Sequence, residues 1–129
     1  MDINIYADGG SKGNGSINSG FGSFAILRDN MFQYISDKSF VGYQKRFLFP
    51  SSTNNEAELK IAVEVLIYLR DNIEKYSKYE KIIINMDSTL VVNAYNRGVK
   101  HPTNHLIPLY EELYGLKILL DNYNLKFEW

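Results

Sequence analysis

Thr53-Asn54-Asn55-Glu56-Ala57-Glu58-Leu59 is the stretch on which the fold turns. Before it, apolar residues recur with a period of two; from Thr53 onward the period is helical. Thr53 and Glu56 have capping-box spacing, in which the threonine oxygen accepts from the N–H three residues on and the glutamate accepts from the threonine N–H. A helix is therefore predicted from Thr53 through roughly Tyr76, with an apolar stripe of Ala62, Val65, Leu66, Leu69 and Ile73. Glu58 leads Ala62, Val65 and Leu69 at i+4, i+7 and i+11, so it shares their stripe and is aimed inward. Glu56 points elsewhere and is explained by the cap. The spacing thus separates a structural glutamate from one that needs a partner.

Working back towards the N-terminus, Asp2 to Asp8 alternates, with Ile3, Ile5 and Ala7 on one face, and predicts a strand with Asp8 at its C-terminal end. A glycine-rich turn, Gly9 to Gly15, follows. Phe21–Leu27 and Met31–Phe40 then flank Arg28-Asp29-Asn30 as the arms of a hairpin. Beyond the helix, Lys81–Met86 is an isoleucine-rich run that predicts a strand buried on both faces and ending at Asp87. Ser88–Arg97 predicts a short helix stopped by Gly98, and a longer helix is expected from about His105 to Leu120. Leu125, Phe127 and Trp129 begin a fifth strand. If the first three strands run up, down and up, the helix at Thr53 starts at the sheet edge where Asp8 emerges. A right-handed crossover then delivers the fourth strand parallel to the first. Asp8, Glu58 and Asp87 converge on that edge, where open mixed sheets bind ligands.

Composition narrows the chemistry. The chain has 129 residues, is 45% hydrophobic, and balances 14 Lys+Arg against 15 Asp+Glu, which suits one domain spanning 1–129 and excludes a strongly basic tail. With no cysteine, disulfides, thiolate metal sites and thiol nucleophiles are excluded, as a cytoplasmic location would permit. No apolar run approaches the roughly 20 residues that span a bilayer, so no membrane partner is expected. Three converging carboxylates without a neighbouring cation repel one another and call for a hard divalent ion, Mg²⁺ with Mn²⁺ as substitute. Metal-assisted phosphodiester chemistry is the natural consequence.

Tyr6-Ala7-Asp8-Gly9-Gly10-Ser11, the Thr53–Leu59 segment and Asn85-Met86-Asp87-Ser88 together resemble the signature segments of type I ribonuclease H, and Lys126-Phe127-Glu128-Trp129 resembles that family's fifth strand. The resemblance implies an α/β fold, a five-stranded mixed sheet of order 3-2-1-4-5 with flanking helices. It also implies hydrolysis of the RNA strand of RNA/DNA hybrids to 5′-phosphate and 3′-hydroxyl ends by a two-metal reaction. Asp8, Glu58 and Asp87 are then the catalytic metal ligands. Gly10, Ser11, Asn14, Asn54 and Asn55 meet the minor groove, where 2′-hydroxyls mark RNA, and Thr53 and Asn55 meet a DNA phosphate. The family pattern continues past the fifth strand into a loop, often bearing a histidine, and a helix carrying a fourth carboxylate. The sequence stops at Trp129, short of this C-terminal helix, and by the resemblance neither Glu111, Glu112 and Glu128 nor His101 and His105 is expected to replace what it supplies. The expectation is a monomeric nuclease with impaired activity; the alternatives are an inactive hybrid-binding scaffold of the same fold, or one part of a split nuclease.

Overall fold

The computed structural model describes residues 2–12, 20–27 and 41–129. Five strands, β1 (Asp2–Ser11), β2 (Gly20–Leu27), β3 (Val41–Phe49), β4 (Lys81–Met86) and β5 (Leu125–Glu128), form one sheet of order β3-β2-β1-β4-β5. The first three run antiparallel, whereas β4 is parallel to both β1 and β5. This is the order that the sequence predicted.

The second hairpin arm is Val41–Phe49 rather than Met31–Phe40, and the latter segment lies outside the described residues. Packing explains the choice of partner. In this register Phe24 of β2 meets Tyr43 and Phe47 of β3 at ring-centroid distances of 5.8 and 6.1 Å. Tyr68 from the following helix closes on Phe24 at 5.6 Å. Such aromatic contacts between distant segments fix a register that local alternation leaves open. Phe47 and Phe49 stack on each other, whereas Phe21 is 45% exposed.

Helix α1 (Asn54–Asp71) begins with the predicted capping box: Glu56 N–H donates to Thr53 Oγ1 at 3.2 Å, and Thr53 N–H to Glu56 Oε1 at 3.0 Å. The helix does not run unbroken to Tyr76. At Asn72 the side-chain amide donates to the Tyr68 carbonyl at 2.9 Å, and a separate turn, α2 (Ile73–Tyr76), follows. Asparagine competes in this way for helical carbonyls. The break is held by a 2.9 Å hydrogen bond between the Tyr68 and Tyr76 hydroxyls.

α3 (Thr89–Arg97) is capped by Ser88 and stopped by Gly98 at φ +84°. A 3-10 turn at Asn104–Leu106 leads into α4 (Ile107–Leu119). Tyr114 Oη donates to the Ala94 carbonyl at 3.0 Å and Lys117 Nζ to that of Tyr95, which fasten α4 to α3. Asn96 Nδ2 donates to the Phe127 carbonyl at 3.1 Å and ties α3 to β5.

Ile3, Ile5 and Ala7 of β1 and Ile82, Ile84 and Met86 of β4 are buried beneath the helices, whose stripe of Ala62, Val65, Leu66 and Leu69 is buried against them. The expectation that β4 is buried on both faces is not met. Lys81, Ile83 and Asn85 alternate with the buried set and remain half-exposed, because the core lies on one face of the sheet. None of the described helices is long and apolar enough to cross a membrane.

β1 and the first turn of α1 approach each other at Gly9. A Cβ at this position would lie 2.7 Å from the Ala57 carbonyl oxygen and 3.1 Å from the Glu58 nitrogen, distances that backbone cannot easily yield. Gly9→Ala is expected to destabilise the fold by about 1–3 kcal/mol. Gly115→Ala, within α4 and with nothing within 4 Å of its Cβ, is expected to stabilise it by about 1 kcal/mol. Denaturant titration of both variants checks the contrast.

Candidate active site

β1 carries Asp8 further inside the ladder than expected. The strand continues to Ser11, with Asp8, Gly9, Gly10 and Ser11 paired to Ser23, Gly22, Phe21 and Gly20 of β2. On the other side of β1 the pairing with β4 stops at Ala7 and Met86. Asp8 is therefore the first β1 residue past the parallel ladder, and Asp87 the first residue past β4. Both are exposed, on adjoining strands that leave the ladder at the same edge.

Glu58 comes to this edge from the first turns of α1, brought close by the contact at Gly9. It is half-buried, as the head of a buried stripe should be. Burial is the main cause that pushes its carboxyl above the ordinary value of 4.5; a hydrogen bond from the Ser88 side chain opposes the shift, and the charges of Asp8 and Asp87 add to it. Each acid acts on Glu58 through its charge, and no cation is among the causes. Glu56 is shifted in the opposite direction, first by its hydrogen bond from the Thr53 backbone. The two glutamates that the sequence separated have different environments.

Ser88 has two tasks that sequence reasoning missed. Its buried hydroxyl accepts from Val91 N–H at 3.3 Å as the cap of α3, and meets Glu58 as well. A serine between the strand-end acid and an apolar helical run was the available signal. Trp129 was also missed: its indole N–H donates to Asp87 Oδ1 at 3.0 Å.

The residues expected to face a nucleic acid are only partly gathered. Ser11 N–H donates to Asn54 Oδ1 at 2.6 Å, which joins the end of β1 to the start of α1. Gly10 lies alongside: a Cβ there would stand 3.2 Å from the Phe21 ring and 3.7 Å from Asn54 Oδ1. Ser11 Oγ is buried and has no hydrogen-bond partner among the described residues. Thr53 is engaged in the cap, Asn55 is exposed next to it, and Asn14 lies outside the described residues. His101 and His105 are exposed and belong to neither group.

Among the described residues, no three carboxylates or histidines stand close enough to enclose a cation by themselves. Asp8, Glu58 and Asp87 offer only oxygen donors, the kind that hard ions take; the two aspartates are accessible, and the charge of Glu58 is disfavoured first by burial and further by the two aspartates.

Comparison with solved structures places this fold among those of ribonuclease H domains. The chain superposes on the N-terminal RNase H domain of rv2228c from Mycobacterium tuberculosis, solved as a fusion with maltose-binding protein, with TM-score 0.70 and 25% identity, covering 100% of this chain and 81% of that one. LC11-RNase H1 in complex with an RNA/DNA hybrid matches with TM-score 0.73 and 22% identity over 98% of this chain and 83% of that one. A foamy viral protease-reverse transcriptase, also in complex with an RNA/DNA hybrid, matches with TM-score 0.71 and 12% identity over 98% of this chain and 17% of that one. No protein-family profile matches the chain, nor does any curated protein. The chain has the ribonuclease H-like fold, and the neighbours that define this include type 1 RNase H domains.

The raised carboxyl of Glu58 has a measurable signature. A carboxyl whose folded value is raised favours folding fully below its unfolded value, and this contribution is lost as pH rises through the folded one. Glu58→Gln is therefore expected to melt at a higher temperature than the parent at neutral pH and at the same temperature below pH 4.5. Thermal melts across that range check it.

Proposed function

We propose that this chain is a metal-dependent endoribonuclease that hydrolyses the RNA strand of RNA/DNA hybrids, leaving 5′-phosphate and 3′-hydroxyl ends. The observation that carries the reading is the burial of Glu58 beside the charges of Asp8 and Asp87, three acids from separate elements with no cation among the causes acting on Glu58. The fold supports it, since neighbours sharing it include an RNase H1 solved with an RNA/DNA hybrid.

In this reading Asp8, Glu58 and Asp87 hold Mg²⁺, with Mn²⁺ as substitute. The bound ion supplies Lewis acidity that activates the attacking water and stabilises the departing 3′-oxygen. The chain's own residues do the rest. Gly10, Ser11, Asn54 and Asn55 line the approach of the minor groove, where each 2′-hydroxyl both donates and accepts. Thr53 and Asn55 at the α1 N-terminus meet a DNA phosphate, which helix ends favour. Ser88 steadies Glu58 by its hydrogen bond.

Asp8→Asn and Asp87→Asn are each expected to lower cleavage of a hybrid by on the order of a hundredfold or more while leaving the fold intact. Glu58→Gln should act likewise, whereas Glu56→Gln should cost about 1 kcal/mol of capping and little activity. Gel assays on a labelled hybrid, paired with melts, check the set; equal loss in the two glutamate variants at equal stability would remove Glu58 from the site.

An open donor set also predicts the metal preference. Mg²⁺ demands near-ideal octahedral geometry and sheds water reluctantly, whereas Mn²⁺ binds a given nitrogen and oxygen set more tightly. Weak cleavage, stronger with Mn²⁺ than with Mg²⁺, is expected. Hybrid binding without turnover under either ion would instead identify a scaffold of this fold.

A further inference from the structure

β4 and β5 are parallel, with Asn85 opposite Glu128, so the residues that follow leave the sheet side by side. Asp87 and Trp129 are among them. The indole N–H of Trp129 donates to Asp87 Oδ1 at 3.0 Å across a sequence separation of 42 residues. The residue is 75% exposed, so burial does not account for its position. With Tyr6, Asp8, Asn85 and Asp87, it lines a groove of about 760 Å³ on the less covered face of the sheet.

We propose that Trp129 is a positioning residue for Asp87, holding one carboxylate oxygen so that the other is presented to a divalent cation. Indole suits this task because it is a donor without an acceptor or a charge. It orients the carboxylate without competing for the ion and without neutralising it, as a lysine or arginine would. An exposed aspartate otherwise samples several rotamers, and binding a cation must then pay the entropy of selecting one. Hydrogen bonds to ligating carboxylates commonly govern metal affinity in this way. The inference rests on the metal site proposed above, and the experiment separates the two.

Trp129 is the single tryptophan of the chain, so its signals need no assignment. In the metal-free protein, the indole N–H resonance in a ¹H–¹⁵N spectrum is expected to move in Asp87→Asn and to stay in place in Asp8→Asn. An unmoved resonance in Asp87→Asn would overturn the contact, and this reading does not depend on any Trp129 variant folding. Calorimetric titration with MnCl₂ and MgCl₂ then compares the parent with Trp129→Phe, which keeps a ring and removes the donor. Affinity is expected to fall by on the order of tenfold, with an unchanged melting temperature. Parent tryptophan emission should change over the same cation range as the heat. Equal affinity in Trp129→Phe and the parent would overturn the positioning role while the metal site stands. Absence of binding heat in the parent would overturn the metal site itself, and the role of Trp129 with it.

Discussion

The close approach of two backbones at Gly9 is the constraint from which the site follows. With no Cβ there, the first turns of α1 settle against β1 at a distance that any side chain would forbid, since the Ala57 carbonyl oxygen would stand 2.7 Å away. Ser11 and Asn54 clamp the same junction by their hydrogen bond. Glu58 is thereby delivered to the sheet edge half-buried, near two exposed aspartates, and its charge becomes costly. Packing, rather than any local feature of Glu58, makes it unusual.

What was legible in the sequence was legible for local reasons. The capping box spans four residues, and both of its hydrogen bonds form. The stripe of α1 is a periodicity within one helix, and it phases Glu58 correctly apart from Glu56. The parallel placement of β4 relative to β1 followed from the direction of each connection and the handedness of the crossover, while the full order 3-2-1-4-5 was implied by the resemblance to type I ribonuclease H. These rules need no knowledge of what lies across the sheet.

The errors came from interactions between distant segments. The partner of β2 was settled by the rings of Tyr43, Phe47 and Tyr68 around Phe24, which alternation in Met31–Phe40 could not reveal. β4 looked doubly buried because a run of isoleucines reads alike whether one face or both are covered; its asymmetry depends on where the helices pack. Ser88 and Trp129 were passed over for the same reason. Their importance lies in Glu58 and Asp87, reached through the fold.

The sheet order also has a consequence for the timing of assembly. The two central strands, β1 and β4, are held in register by neighbours far apart in the chain, as when Asn85 donates to Asn4 from 81 residues away. During synthesis β1 to β3 and α1 can gather first, since each contacts the segment made just before it, but Asp8 remains without Asp87 until β4 has emerged and docked. A chain in which β4 has not docked has an unpaired β1 edge, the kind of edge that invites mispairing. Gly9, at that strand end, gives α1 its close seat on β1, so the strand whose edge β4 must find is already backed by a helix once α1 has docked.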